Sequence, residues 1–268
     1  MYHSEHIENL YKGFCATETL WKDHLNGLKQ LDVIMKSESL FSKVLLKKRR
    51  LGQLAEQFVF NQLEHLEQCE VLAENIQIQK DKQTIGELDA LITLESKPIH
   101  LEIVYKFYVY DETLGASEIE RWIGPNRKDS LIEKIAKLKN KQLPLLYSPE
   151  CTTVLKDLNL NVNTIQQRVL FKAQLFIPYQ KSVNFSQLNE ECVCGFYINQ
   201  EELNHFENSK FYIPKKLDWF LEVNDSVDWQ SFVTFKTEVD EFLNQSQSPL
   251  IWIKQPDDSL LKCFLVWW

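Results

Sequence analysis

Glycine and proline are scarce, at 7 and 8 of 268 residues. That scarcity excludes collagen-like and low-complexity chains and leaves few punctuation points between regular elements. Long apolar runs are missing too, since none approaches the ~20 residues needed to cross a bilayer. The opening MYHSEHIENL is charged and polar where a secretion signal has an apolar stretch. Together these absences predict a cytoplasmic protein with no membrane partner. The six histidines show no H-x-x-x-H spacing and no acyl-transfer triad with a nucleophile. Among the six cysteines, Cys192 and Cys194 form a lone C-x-C without a second pair at ligand spacing, so structural thiols are expected rather than a zinc site or a disulfide framework.

What is present is ordinary globular composition, 44% hydrophobic and 25% charged. The formal net charge of -8 argues against nucleic acid as a partner, but the charge is uneven. Lys43 to Arg50 holds basic residues at 43, 47, 48, 49 and 50 and no acid. Arg121 to Lys141 holds basic residues at 121, 127, 128, 134, 137, 139 and 141 against acids at 129 and 133. Each stretch reads equally as a solvated helix face or a phosphate-binding surface.

Hydrophobic spacing predicts helices over 4–35 and 39–68, the second carrying Leu51, Leu54, Ala55, Phe58, Val59 and Leu63 on a repeating face. Strands are expected at 71–79, 84–94 and 99–110, the last two joined by the polar link 95–98. A helix over 130–141 begins with the S-x-x-E pattern of Ser130 and Glu133, and a strand follows at 169–178. Beyond residue 180 short aromatic strands at 194–198, 250–253 and 264–268 surround a helix over 229–243. The tryptophans there (219, 229, 252, 267 and 268) are expected in a core rather than stacked on bases.

The hairpin carries the chemistry. Strand alternation puts Glu87 and Asp89 on one face, with Glu102 and Lys106 on the matching face of the next strand. A turn centred between Ser96 and Lys97 sets Glu87 opposite Lys106, Asp89 opposite Val104 and Leu91 opposite Glu102. Carboxylates gathered on one face repel unless a cation relieves them, and Mg²⁺ takes such hard oxygen ligands while keeping several waters. Asp89 is the most pointed of the set, because aspartate is depleted in strands and sits here between apolar neighbours.

The same residues, in the same order, resemble the PD-(D/E)XK nuclease superfamily. LGQLAEQFV is similar to its first core helix with Glu56 at the outer acidic position, GELDAL to the strand with the metal-binding aspartate, Asp89, and HLEIVYKFY to the strand with an acid and a lysine. The chain, including WIGPNRKD, also resembles a bacterial family of unknown function placed in that superfamily. One departure stands out: the position two residues before Lys106 is Val104, and the nearest acid is Glu102.

The resemblance implies an α/β restriction-endonuclease-like core with a mixed central sheet flanked by helices, over 44–178. An N-terminal helical segment (1–43) would precede it, and an α+β extension (179–268) would pack on it. It further implies a Mg²⁺- or Mn²⁺-dependent nuclease whose partner is nucleic acid, DNA rather than RNA. Asp89 and Glu102 would be the metal ligands, Lys106, Glu56 and Glu87 would act around them, and Arg127 and Lys128 would hold the phosphate backbone. The alternative is an inactive nuclease fold that binds nucleic acid or a protein.

Overall fold

The structure, a computed structural model, describes residues 4–31, 33, 40–43 and 50–268. In chain order the elements are α1 (Ser4–Ala16), β1 (His24–Leu25), β2 (Leu28–Lys29), α2 (Leu51–Glu64), β3 (Cys69–Lys80), β4 (Gln83–Leu94), β5 (Lys97–Tyr110) and β6 (Trp122–Ile123). Then follow α3 (Leu131–Lys137), α4 (Thr152–Asp157), β7 (Gln166–Pro178), β8 (Val193–Ile198), β9 (Lys210–Tyr212), β10 (Gln230–Ser231), α5 (Phe232–Asn244), β11 (Leu250–Lys254) and β12 (Leu260–Leu265). The chain is a mixed α/β protein, and its described residues form a large mixed sheet of ten strands. Among the described residues, no helix is long and apolar enough to cross a membrane.

Two compact units emerge, one comprising 1–11, 19–105 and 133–172, the other 12–18, 106–132 and 173–268. In the first, β3, β4 and β5 form an antiparallel meander, with Gln77 paired to Glu87 and Ala90 to Leu101. Its apolar cluster joins Ile78, Leu88 and Leu91 to Leu146, Cys151, Leu155 and Ile165. Helix α2 packs on β3 and buries Leu54, Ala55, Phe58, Val59 and Leu63, the stripe predicted by helical spacing. The leucine, phenylalanine and valine side chains among these each contribute about 1.5–3 kcal/mol on leaving water.

In the second unit the strand order is β10-β9-β11-β12-β8-β7, with β7–β8 and β8–β12 parallel and the other pairs antiparallel. Phe211 stacks on Phe235 with ring centroids 4.2 Å apart, inside a cluster that includes Phe206, Val239, Ile251 and Ile253. Ser231 caps α5 by accepting from the Thr234 amide. Trp219 and Trp252 are buried, as expected of core residues, whereas Trp267 is exposed.

Several boundaries differ from expectation. Helix α1 stops at Ala16, and the hairpin β1–β2 turns through Asn26 and Gly27, both at positive φ. Helix α2 starts at Leu51, where Gln53 reaches back to the Arg50 amide. Residues 40–43 are not helical, because buried Asn61 competes for them, accepting from the Ser42 amide and donating to the Leu40 carbonyl. The final strand ends at Leu265 rather than at residue 268.

The hairpin register also changes. The turn is the pair Glu95-Ser96, both at positive φ, so Leu94 pairs with Lys97, Ile92 with Ile99 and Leu91 with His100. Two positive-φ residues make a two-residue hairpin turn of type I′, whose twist suits the strands it joins. The pairings Glu87–Lys106, Asp89–Val104 and Leu91–Glu102 are therefore corrected by two residues. A shift of two preserves faces, so the grouping of side chains survives while the partners change.

Candidate functional site

The β4–β5 ladder ends at Ala90↔Leu101, and Asp89 and Glu102 are the next residues on the two strands. There the strands part. The next β5 amide, Ile103 N–H, donates to Asp89 Oδ2 at 2.8 Å, so a side chain takes over where the backbone ladder stops. A Cβ at Gly86 would lie 2.6 Å from Leu145 Cδ2, so glycine there lets the 143–147 turn sit close on β4.

Glu102 is fully buried and its two oxygens are separately engaged. His100, also fully buried, lies two residues away on the same face with Nε2 3.0 Å from Glu102 Oε1. Gln142 Nε2 donates to Glu102 Oε2. Gln142 sits at the end of a π-helical turn (Leu138–Gln142) that continues α3, and its Oε1 accepts from Lys134 Nζ at 2.8 Å. Gln167 of β7 donates to the Leu143 carbonyl at 2.6 Å and lies 3.1 Å from His100 Nδ1. His100 and Gln142 thus hold one buried carboxylate, with Gln167 behind the histidine and Lys134 behind the glutamine.

Asp89 feels this crowding. Burial above all, then the charge of Glu102 and more weakly that of Glu56, pushes its carboxyl up to about 8, against the Ile103 hydrogen bond and Lys134, which pull it down. Glu56 projects from α2, half-buried. Asp89, Glu102, Glu56 and Lys134 all belong to the first unit.

The other sequence-derived candidates have partners of their own. Glu87 is half-buried and stands opposite Gln77 in the β3–β4 ladder. Lys106 belongs to the second unit, where its ammonium bonds Asp129. Arg127 pairs with buried Asp111, and its guanidinium lies 3.9 Å from the Trp268 ring centroid. Its residue sits at positive φ in a turn closed by Gly124 N–H bonding the Asp129 carbonyl. Lys128 is exposed. Of the first basic stretch, Lys43 bridges Glu64 and Glu74, and residues 44–49 lie outside those described.

A family model described as a domain of unknown function, DUF1853, matches residues 14–261. The chain belongs to the DUF1853 family. No curated protein and no solved structure matches it. The family span therefore takes in the whole Asp89–Glu102 network and also β8 to β11, beyond the core read from sequence at 44–178.

The arrangement offers a cation two carboxylates with hard oxygens, one of them in reach of solvent through half-buried Asp89. Among the described residues no group of three or more His, Cys, Asp or Glu side chains stands at metal-holding spacing. Two carboxylates alone make no closed protein cage and would leave most of an ion's coordination to water. Sequence reasoning missed Lys134, Gln142 and Gln167 as members of the group. Lys134 was visible only as one charge in a basic run, and an amide that ends up against a carboxylate carries no pattern in the chain. His100 belongs to no histidine pattern in the chain; the available signal was its two-residue spacing from Glu102 within an apolar strand.

Proposed function

We propose that the chain is a metal-dependent phosphodiesterase that cleaves nucleic acid, DNA in preference to RNA, on a restriction-endonuclease-like core. The observation that carries this reading is the parting of β4 and β5 at Asp89 and Glu102, which leaves two carboxylates adjacent with Glu56 and Lys134 beside Asp89. Asp89 and Glu102 would hold Mg²⁺ or Mn²⁺. Such an ion, when bound, lowers the pKa of a coordinated water and stabilises charge growing on a phosphate.

The chain's own residues do the rest. Asp89, carrying a proton near neutrality without a cation, gives it up when one binds. Glu102 cannot swing away, because His100 and Gln142 hold its two oxygens. Lys134, steadied by Gln142, is the ammonium of the first unit that offsets phosphate charge, and Glu56 acts from the outer position. Lys106, expected from the resemblance to act around the metal ligands, is held by Asp129. Arg127 is committed to Asp111, so exposed Lys128 is the better contact for a phosphate backbone.

The second reading is an inactive fold that binds nucleic acid or protein. It is favoured by one observation: Glu102 and Lys134 are already tied to the same glutamine. Incubation of linear and circular DNA and of RNA with Mg²⁺ or Mn²⁺ tests the choice. Cleavage by the wild type that is lost in both Asp89→Asn and Glu102→Gln supports the enzyme. DNA retention without cleavage, unchanged in Asp89→Asn, rejects it in favour of the binder.

A further inference from the structure

We infer that His100 is a positioning residue, fixed by Gln167 as the tautomer that carries its proton on Nε2 and thereby aiming Glu102 at its ligand. The inference rests on the reading of Glu102 as a metal ligand, but its structural half stands on the hydrogen bonds alone.

The reasoning starts from Gln167. Its Nε2 lies 2.6 Å from the Leu143 carbonyl, which only accepts, so the amide must present nitrogen rather than oxygen there. The same nitrogen lies 3.1 Å from His100 Nδ1. An NH₂ group has two hydrogens, one for each neighbour, and a Nδ1 that accepts bears no proton. A neutral imidazole unprotonated at Nδ1 is protonated at Nε2, and Nε2 faces Glu102 Oε1 at 3.0 Å. Donation to a carboxylate oxygen completes the chain with every partner in its proper role. Gln142 does for Oε2 what His100 does for Oε1, its own amide oriented by Lys134 on the far side.

Full burial of both His100 and Glu102 makes this costly to leave unmade, since an unpaired buried polar group has no water to turn to. Each carboxylate oxygen has two lone pairs, so one N–H bond apiece leaves capacity for a cation. This is how outer groups orient metal ligands elsewhere, and their removal typically weakens metal affinity about 10–100-fold.

The test has two arms. Long-range ¹H–¹⁵N NMR of the wild type, with the His100 ring assigned by its absence in His100→Gln, reads the tautomer directly and needs no metal. A bare Nδ1 and a protonated Nε2 are expected; the reverse tautomer, or a mixture of the two, overturns the inference. Mn²⁺ titration calorimetry then compares His100→Phe, which keeps a ring but no donor, with His100→Gln, which restores an N–H near the Nε2 position. The expected result is a loss of about 10–100-fold for the phenylalanine, largely recovered by the glutamine. Equal affinity in all three proteins, or no recovery in a folded His100→Gln, overturns it. Failure of the metal reading looks different: the wild type binds Mn²⁺ no better than Asp89→Asn does, while the NMR arm still decides the tautomer.

Discussion

Replacing Asp89 with asparagine should stabilise the metal-free protein, and increasingly so as pH rises. The Asp89 carboxyl is pushed from its ordinary 3.8 to about 8 by burial and by Glu102. A raised carboxyl means the folded state holds the proton more tightly than the unfolded chain does. Between about pH 4 and pH 8 folding takes up a proton, so stability falls as pH rises through that window, by up to about 1.4 kcal/mol per pH unit. At pH 7 the full shift corresponds to about 4 kcal/mol. About 2 kcal/mol remains if the half-buried side chain regains half its hydration by local opening. Asparagine keeps the shape and the oxygen that accepts from Ile103 N–H, but never ionises. Urea unfolding in EDTA at pH 5, 6, 7 and 8 should therefore show a gap in favour of Asp89→Asn that widens to about 3–6 kcal/mol and levels off above pH 8. Titrating groups remote from Asp89 are common to both proteins and cancel in the difference. Mg²⁺ should narrow the gap by stabilising only the wild type, in proportion to RT ln(1 + [Mg²⁺]/Kd). A gap independent of pH, or a less stable asparagine variant at pH 8, refutes the crowded-carboxylate description of the site.

Three further perturbations address the scaffold. Gly13→Ala in α1 should gain up to about 1 kcal/mol from helix propensity, yet a Cβ there would lie 2.0 Å from the Phe220 carbonyl oxygen, so a net loss of about 1–3 kcal/mol is expected in thermal unfolding. The pair Glu95→Asn with Ser96→Gly suits a turn in which both residues have positive φ, and should raise stability by about 1 kcal/mol, or Tm by about 2–4 °C. No gain would speak against the corrected register. Arg127→Ala should cost about 2 kcal/mol, because Asp111, with a side chain only 5% exposed, keeps Thr113 but loses its cation, and Trp268 loses the guanidinium above it. Arg127→Lys should rescue little of this, since an ammonium cannot both pair and stack as a planar fork does.

How much of this was legible in the chain depends on the range of the interaction that decided it. Helix α2 and the strands β4 and β5 are announced by their own periodicity, because burial of one face is enough to select them. The Asn26-Gly27 turn was equally legible, a strong short hairpin signal, and was passed over in favour of a long helix whose apolar residues continue through Leu28 and Leu31. Glu95-Ser96 announces nothing, since neither residue favours positive φ, and there the strands impose the turn instead of the reverse. The N-terminal limit of α2 was hidden because Asn61, far along the chain, decides what 40–43 do. Which residues bear charge on the site face could be read from alternation. Which amides and ammonium complete the network could not, because Gln142, Lys134 and Gln167 reach it only through tertiary packing.

The two-residue correction to the hairpin also changes what the departure at Val104 means. Measured from a turn at Ser96-Lys97, Glu102 sat one side-chain step out of place and Lys106 faced Glu87. Measured from Glu95-Ser96, Glu102 is the residue that follows Leu101 directly beside Asp89, and no acid at 104 is needed to bring two carboxylates together. On the proposed nuclease reading the displaced member of the pattern is the lysine, not the acid: Lys106 is bonded to Asp129, while Lys134 comes from α3 to act on Asp89. An ammonium acts on charge through space and is indifferent to the strand or helix that carries it, so a lysine can migrate between elements where a ligand cannot. That difference predicts unequal tolerance. In cleavage assays Lys134→Ala should cost far more activity than Lys106→Ala, and comparable losses from both would restore Lys106 to the chemistry.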